Sequence, residues 1–403
     1  TIQRACIFYH LKQPTIFLMI IVFIKDKLNS LDSILPILLE CYEKYNQKSL
    51  IVVPGMLAYK GIKENIVIRD SINQFGSLTY IETGKGNKLI RRARIVMKIV
   101  YFFIHGMFGA KFIHFGHLDV LPYNILGFFF RKNVYLTAAT PYDHYFEDIE
   151  LSGNPLTAGK NLDIIVRPKP IGENFIYFNS KSLIGLSEYK DSLNIYDIGE
   201  VRLRKSWIEY IHNKLPRYMS SYHPTVSKSE KIIAIMLGGF YVGHTVPGVI
   251  DNRTQHRLFE DVLDVLNTDC NYKVLLKPHV YTDMEYVDEL LLKYDDKFEI
   301  TYLHPTLLAM RSDVFICVNY STTMADGYSI GATTIEYSQY YNEELEVTKY
   351  RSKGHPYIDY FIQNDIELLR LTIKSICNNN KENPDVVQYS DNDSSGLIYS
   401  LSH

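Results

Sequence analysis

Two apolar runs, Val274 to Leu276 and Val314 to Val318, are each followed at once by a polar cluster. Lys277-Pro278-His279 follows the first, and Asn319-Tyr320-Ser321-Thr322-Thr323 follows the second. Runs this short and this apolar read as strands buried on both faces, the pattern of a parallel sheet covered by helices. A polar cluster at the carboxyl end of such a strand lies on the edge where open α/β sheets bind ligands. A lysine, a histidine and several hydroxyls brought to one crevice suit a phosphorylated ligand.

The alternation runs the length of the chain. The segment Ile16–Ile24 reads as a first strand, Asp32–Tyr45 as a helix, and Ser49–Val53 with Pro54-Gly55 as a strand and its turn. That order begins a doubly wound sheet. Further strands are expected at Asn65–Ile68, Leu78–Glu82, Phe112–His114, Val134–Thr137, Asp163–Val166 and Phe175–Phe178, with a long helix from Lys88 to Phe108. After a helix containing Trp207, Ile208 and Ile211, the polar stretch Tyr222–Glu230 reads as a linker.

The pattern then restarts, with strands at Lys231–Leu237, Lys273–Leu276, Glu299–Leu303, Asp313–Val318 and Thr333–Tyr337. Helices are expected at Arg257–Leu266, Thr322–Ile330 and Asp365–Cys377, and Thr282-Asp-Met-Glu285 reads as a capping box. The 403 residues exceed what one ordinary core holds, so two domains are expected: 1–215 and 228–380, with 381–403 a polar tail.

The 43 basic and 45 acidic residues nearly balance, and no global field points to nucleic acid. The five cysteines are scattered without CxxC spacing, which supports neither a zinc site nor a disulfide framework and fits a reducing cytosol. Ile16–Ile24 falls short of the roughly 20 residues needed to cross a bilayer. Lys88-Leu-Ile-Arg-Arg-Ala-Arg-Ile-Val-Met-Lys98 and Phe128-Phe-Phe-Arg-Lys132 allow two readings. They rest on an anionic membrane surface, or they pack apolar faces on the sheet and solvate the basic ones.

Ser321 and Thr322 stand where strand gives way to helix, either as donors to a phosphate or, for Ser321, as a plain N-cap. Gly238-Gly239 lets a backbone approach a ligand. Glu336 could hold the hydroxyls of a ribose or sugar. In the first half, His117, Asp119 and Asp143 follow strands, and a transferase needs such a group to take a proton from an acceptor hydroxyl. Gly84-Lys-Gly86 has neither dinucleotide-fingerprint nor P-loop spacing.

Ile198-Gly199 with Arg202, Lys277-Pro278-His279, Asp313–Ile316, Ser321–Thr323 and Gly331–Glu336 together resemble the two-domain GT-B glycosyltransferases that build bacterial capsule, lipopolysaccharide and teichoic acid. The likeness covers mainly residues 195–375. It implies two Rossmann-like domains facing across a cleft, an acceptor-binding one first and a nucleotide-sugar-binding one second, without metal or cofactor. A Lys/His-Pro motif followed by hydroxyls is similar to enzymes using cytidine nucleotides, such as Kdo, sialic acid and polyol-phosphate transferases. In these the histidine and hydroxyls meet the donor phosphate, which maps onto His279, Ser321 and Thr322, with Lys277 beside them. The chain has the order Pro278-His279, and a His304-Pro305 pair follows, so either histidine answers to the motif.

The implied partners are a nucleotide sugar, CMP-linked by preference, and a glycan or lipid-linked glycan acceptor. The implied setting is the cytoplasm, at the inner face of the membrane. The alternatives are a UDP-sugar 2-epimerase of the same architecture and a non-catalytic domain of a polysaccharide synthase.

Overall fold

The computed structural model describes residues 19–24, 29–82, 88–115, 118, 121–137, 171–178, 192–227, 230–237, 252–279, 282–294, 296–319, 321–378, 389–390 and 392–403. The first half begins with β1 (Ile20–Phe23), α1 (Asn29–Asp32), α2 (Leu35–Tyr45), β2 (Ser49–Gly55), α3 (Met56–Glu64), α4 (Ile66–Phe75) and β3 (Gly76–Glu82). It continues with α5 (Lys88–Met107), β4 (Lys111–His114), α6 (Asn124–Phe129), β5 (Val134–Thr137), β6 (Asn174–Tyr177) and β7 (Asn194–Asp197). Helices α7 (Lys205–His212) and α8 (Leu215–Tyr222) then lead out of it.

The second half starts with β8 (Ile232–Met236), α9 (Asn252–Asp269), β9 (Lys273–Lys277), α10 (Met284–Leu291), β10 (Phe298–Ile300), α11 (Pro305–Arg311) and β11 (Val314–Val318). It ends with α12 (Met324–Ile330), β12 (Thr333–Ser338), α13 (Asn342–Val347), β13 (Tyr360–Gln363) and α14 (Ile366–Asn378). A last helix, α15, covers Ser395–Ser402.

Every strand pair is parallel. The first sheet runs β3-β2-β1-β4-β5-β6-β7 and the second β10-β9-β8-β11-β12-β13. Both orders start from a central strand, wind outward one way and then reverse, which is the doubly wound Rossmann pattern. The reversals fall between β1 and β4 and between β8 and β11, and there the flanking helices diverge to leave a crevice. The central strands β1, β8 and β11 are buried at every position, as sheets covered on both faces require.

One apolar core extends across both halves, joining Ile20, Val22 and α2 to Trp207, Leu307, Leu308 and Ala234. Helix α7 makes the connection by packing against α2 on one side and α11 on the other. Fully buried Trp207 lies at that junction. After α8, the His223 ring is held between Glu299 (2.7 Å) and Thr301 (2.8 Å) of the second half.

Several local expectations are corrected. Asn65–Ile68 is not a strand: the Asn65 side chain accepts from the Ile68 N–H at 3.1 Å and caps α4, competing successfully with β propensity. The cap of α10 is Asp283, not Thr282, whose hydroxyl instead accepts from the His279 N–H at 2.8 Å. The segment expected as a polar tail carries α15, whose Leu397, Ile398 and Leu401 are buried against α2. Arg204 binds Glu40 (2.5 Å) and Ser394 (2.6 Å), fastening that segment to the first half. The expected strand at Asp163–Val166 lies outside the described residues.

Cys270 and Cys377 form a disulfide across 107 residues, contrary to the reading of the cysteines as unpaired. Spacing alone could not reveal it, because the sheet, not the sequence, brings the ends of α9 and α14 together. Closing so long a loop restricts the unfolded chain. Reduction, or Cys270→Ser, is expected to lower unfolding free energy by about 2–4 kcal/mol in urea titrations. An unchanged thiol count on reducing the denatured protein would show that the bond is absent.

Candidate functional site

At the end of β11 the chain turns sharply: Asn319 has φ +63°, a left-handed conformation that asparagine tolerates better than most residues. The turn presents Ser321 and Thr322, both partly exposed, at the second sheet's switch point. Ser321 Oγ and Thr323 Oγ1 are 2.8 Å apart. No side chain caps α12, so Ser321 is not the N-cap and the helix begins later than expected, at Met324. Its hydroxyl is not taken up in holding the helix end.

Lys277 closes β9, which lies two strands from β11 with β8 between them, at the same carboxyl edge of the sheet. Burial pushes its ammonium down to about 8, against the pull of Asp32. Among the described residues nothing pairs with that ammonium. A desolvated cation on the sheet edge that also carries these hydroxyls is a place where an anion is welcome, since it restores what burial took away.

The first half answers with Asp32, which ends α1 after the carboxyl end of β1. Its carboxylate lies 3.0 Å from His304 Nε2, and both groups are buried. Burial would raise the Asp32 carboxyl, but His304, then Arg202 and Lys277, outweigh it and hold the group below the usual range. With Nε2–H donating to Asp32, the lone pair falls on Nδ1, which is buried and, among the described residues, has no hydrogen-bond partner. The imidazole is thereby oriented as a base.

Beside this pair lies a second buried one. Arg202 Nη1 approaches Asp326 Oδ2 to 3.1 Å, with Asp326 wholly inaccessible. The approach is charge to charge, because among the described residues neither Asp326 oxygen accepts a hydrogen bond. Burial lifts the Asp326 carboxyl to about 6, while Arg202 and His304 pull it down. Tyr357 donates to Glu200 across the same junction.

The residues anticipated as donor ligands separate in space and in kind. Lys277, Ser321 and Thr322 stand at the carboxyl edge of the second sheet. His279 is solvent-exposed on the loop after β9, whereas His304 is the histidine that faces the other half. Glu336, expected to hold sugar hydroxyls, is fully buried. It accepts from Ser338 (2.9 Å), Tyr340 (2.6 Å) and Ser352, so its carboxylate braces the loop after β12. Gly238, Gly239, His117, Asp119 and Asp143 lie outside the described residues.

Asp32, Arg202 and Asp326 had no assigned role in the cleft from sequence. Asp32 read as a helix start and Asp326 as a residue within a short helix. Two signals did point there: the Arg202 position within Ile198–Arg202, and the His304-Pro305 pair. Among the described residues no three His, Cys, Asp or Glu side chains gather as a metal site.

No protein-family model matches the sequence, and no curated protein does. Solved structures match along nearly the whole chain. The UDP-GlcNAc 2-epimerase of Methanocaldococcus jannaschii, in complex with UDP-GlcNAc and UDP, is 11% identical. The match covers 95% of this chain and 99% of that one, with a TM-score of 0.51. The UDP-N-acetylglucosamine 2-epimerase of Rickettsia bellii is 11% identical over 96% and 94%, with a TM-score of 0.50. The HepE protein of Anabaena, in complex with UDP and glucose, is 10% identical over 95% of each chain, with a TM-score of 0.47. At these identities the likeness speaks for the fold alone, and it agrees with the two sheet orders: this chain has the GT-B architecture, two Rossmann-like halves facing across a cleft.

Proposed function

We propose that the protein is a glycosyltransferase of bacterial surface-polysaccharide assembly, moving a sugar from a nucleotide-sugar donor to a glycan or lipid-linked glycan acceptor. The observation that carries this is the desolvated Lys277 ammonium on the same carboxyl edge of the second sheet as Ser321 and Thr322, with β8 between their strands. The lysine and hydroxyls take the donor phosphate, and charge building up on the departing nucleotide is met there without a bound metal. The first half holds the acceptor. His304, oriented by Asp32, removes the proton from the attacking hydroxyl. A CMP-linked donor is what the resemblance of Lys277-Pro278-His279 and Ser321-Thr322 to cytidine-nucleotide transferases implies, and UDP is its first competitor.

Thermal-shift and calorimetric titration with CMP, CDP, UDP and GDP tests this. One nucleotide is expected to stabilise the protein selectively, and Lys277→Ala is expected to weaken it by about tenfold or more, the scale of a hydrogen bond to a charged group. The pH dependence has a definite sign. Lys277 carries its charge below about 8, and phosphate binds the charged form, so affinity falls as pH rises through 8, by up to about tenfold per unit. No shift with any nucleotide, or affinity flat from neutral to alkaline pH, would sink the assignment of Lys277.

The second reading, 2-epimerisation of a UDP-sugar, is favoured by the Asp32–His304 pair, since a base in the cleft serves proton removal from a sugar carbon equally well. Conversion of UDP-GlcNAc with no acceptor present would decide for it.

A further inference from the structure

Helix α5 is apolar on two opposite faces. Ile99, Phe102 and Gly106 are buried against the first half, while Leu89, Met97, Val100, Ile104 and Met107 recur at helical spacing on the outside. Leu89 is 74% exposed and Met107 69%. A helix on a water-facing surface ordinarily carries polar residues there. Helix α6 extends the same surface: the Phe129 ring is 5.4 Å from Phe103 of α5, and Phe128 beside it is 74% exposed. A continuous exposed apolar surface of this kind marks an interaction site.

The charges on this surface identify the occupant. From Lys88 to Thr137 the chain has eight lysines and arginines against one acid, Asp119. At 100° per residue, Arg92 borders one side of the outward stripe and Arg94 the other, while Lys98 on the Arg94 side is drawn inward to Thr79 Oγ1 at 3.2 Å. An apolar stripe with cations along both borders suits seating in the plane of a bilayer, rings and aliphatic chains among the acyl chains and cations among the phosphates. A second copy of the chain would set cation against cation. Next to the stripe a cavity of about 570 Å³ is lined by Leu50, Ile81, Met97 and Phe102, with Arg94 and Lys98 also on its wall. Among the described residues no helix is long and apolar enough to cross a membrane.

The geometry points to α5 and α6 as a docking face for an anionic phospholipid bilayer. This does not depend on the nucleotide-sugar reading, and the titrations above stand or fall separately.

Co-sedimentation with phosphatidylcholine vesicles, with and without phosphatidylglycerol, tests it on the full chain. Binding is expected only with the anionic lipid, and release is expected at about 1 M salt, where the screening length falls to roughly 3 Å. Arg92→Ala/Arg94→Ala is expected to bind roughly 30-fold less tightly, at about 1 kcal/mol per basic residue near the surface. Met97→Gln/Ile104→Gln is expected to lose at least about tenfold through its apolar contacts. Unchanged circular dichroism and urea midpoints would show that both variants fold. Equal binding of folded variants and wild type, absence of binding to anionic vesicles, or a dimer in size exclusion that the Gln variant dissociates would each overturn the assignment.

Discussion

Replacing His304 by Gln is expected to lower the turnover number about 10²–10⁴-fold, the usual contribution of a general base, and to leave nucleotide affinity nearly unchanged. Gln keeps a donor toward Asp32 but offers no basic nitrogen where Nδ1 stands. Asp32→Asn is expected to act in the same direction, since the lone pair stays on Nδ1 only while an acceptor holds the Nε2–H. The measurement is a rate with the nucleotide sugar chosen by titration, alongside the dissociation constant of the free nucleotide. A His304→Gln protein with near-normal turnover and reduced stability would identify the pair as a latch between the halves and remove it from the chemistry.

Arg202→Met is expected to cost about 3–5 kcal/mol of stability, because it leaves the Asp326 carboxylate buried without its counter-charge. The double variant Arg202→Met/Asp326→Leu should recover most of that loss, since two apolar groups in place of a buried ion pair are often neutral or stabilising. Urea unfolding at about pH 8, where Asp326 is ionised, provides the comparison. A loss below about 1 kcal/mol in the single variant would mean that water reaches the pair.

The pH dependence follows from opposite shifts in two carboxyls. Asp326 titrates near 6 in the folded protein and near 3.9 in the unfolded chain. The folded state therefore binds its proton more tightly, and this contribution to stability, present below about pH 4, is lost as pH rises through 6. Two units correspond to about 3 kcal/mol at most. Asp32, held low, acts the other way: its contribution is present above the unfolded pKa and is lost on acidification. Asp326→Asn should remove the decline between about pH 4 and 6 and leave the acid limb intact.

The architecture was legible because buried parallel strands announce themselves as uninterrupted apolar runs. Val314–Val318 and Val274–Leu276 needed no tertiary information to be placed, and their carboxyl ends put Lys277 and Ser321 on the ligand-binding edge. Helices α3 and α13 and strand β13 were missed, being short and lacking clear periodicity. The site was only half legible, since it is made by apposition. Asp32 and His304 stand 272 residues apart, and no local pattern links them. Glu336 shows the converse error. A glutamate at a strand end reads as available for a ligand until Tyr340 and Ser352 fold back over it, and that loop closure is invisible in a string of residues.

Helix α15 returns the chain to the half in which it began, so the polypeptide passes between the halves twice, after α8 and again after α14. One crossing is pinned through His223 to Glu299, and the other ends where Arg204, Glu40 and Ser394 meet. The first half is thereby assembled from segments that flank the second half in the sequence, so its core is complete only once the second half has been synthesised and α15 can close over α2.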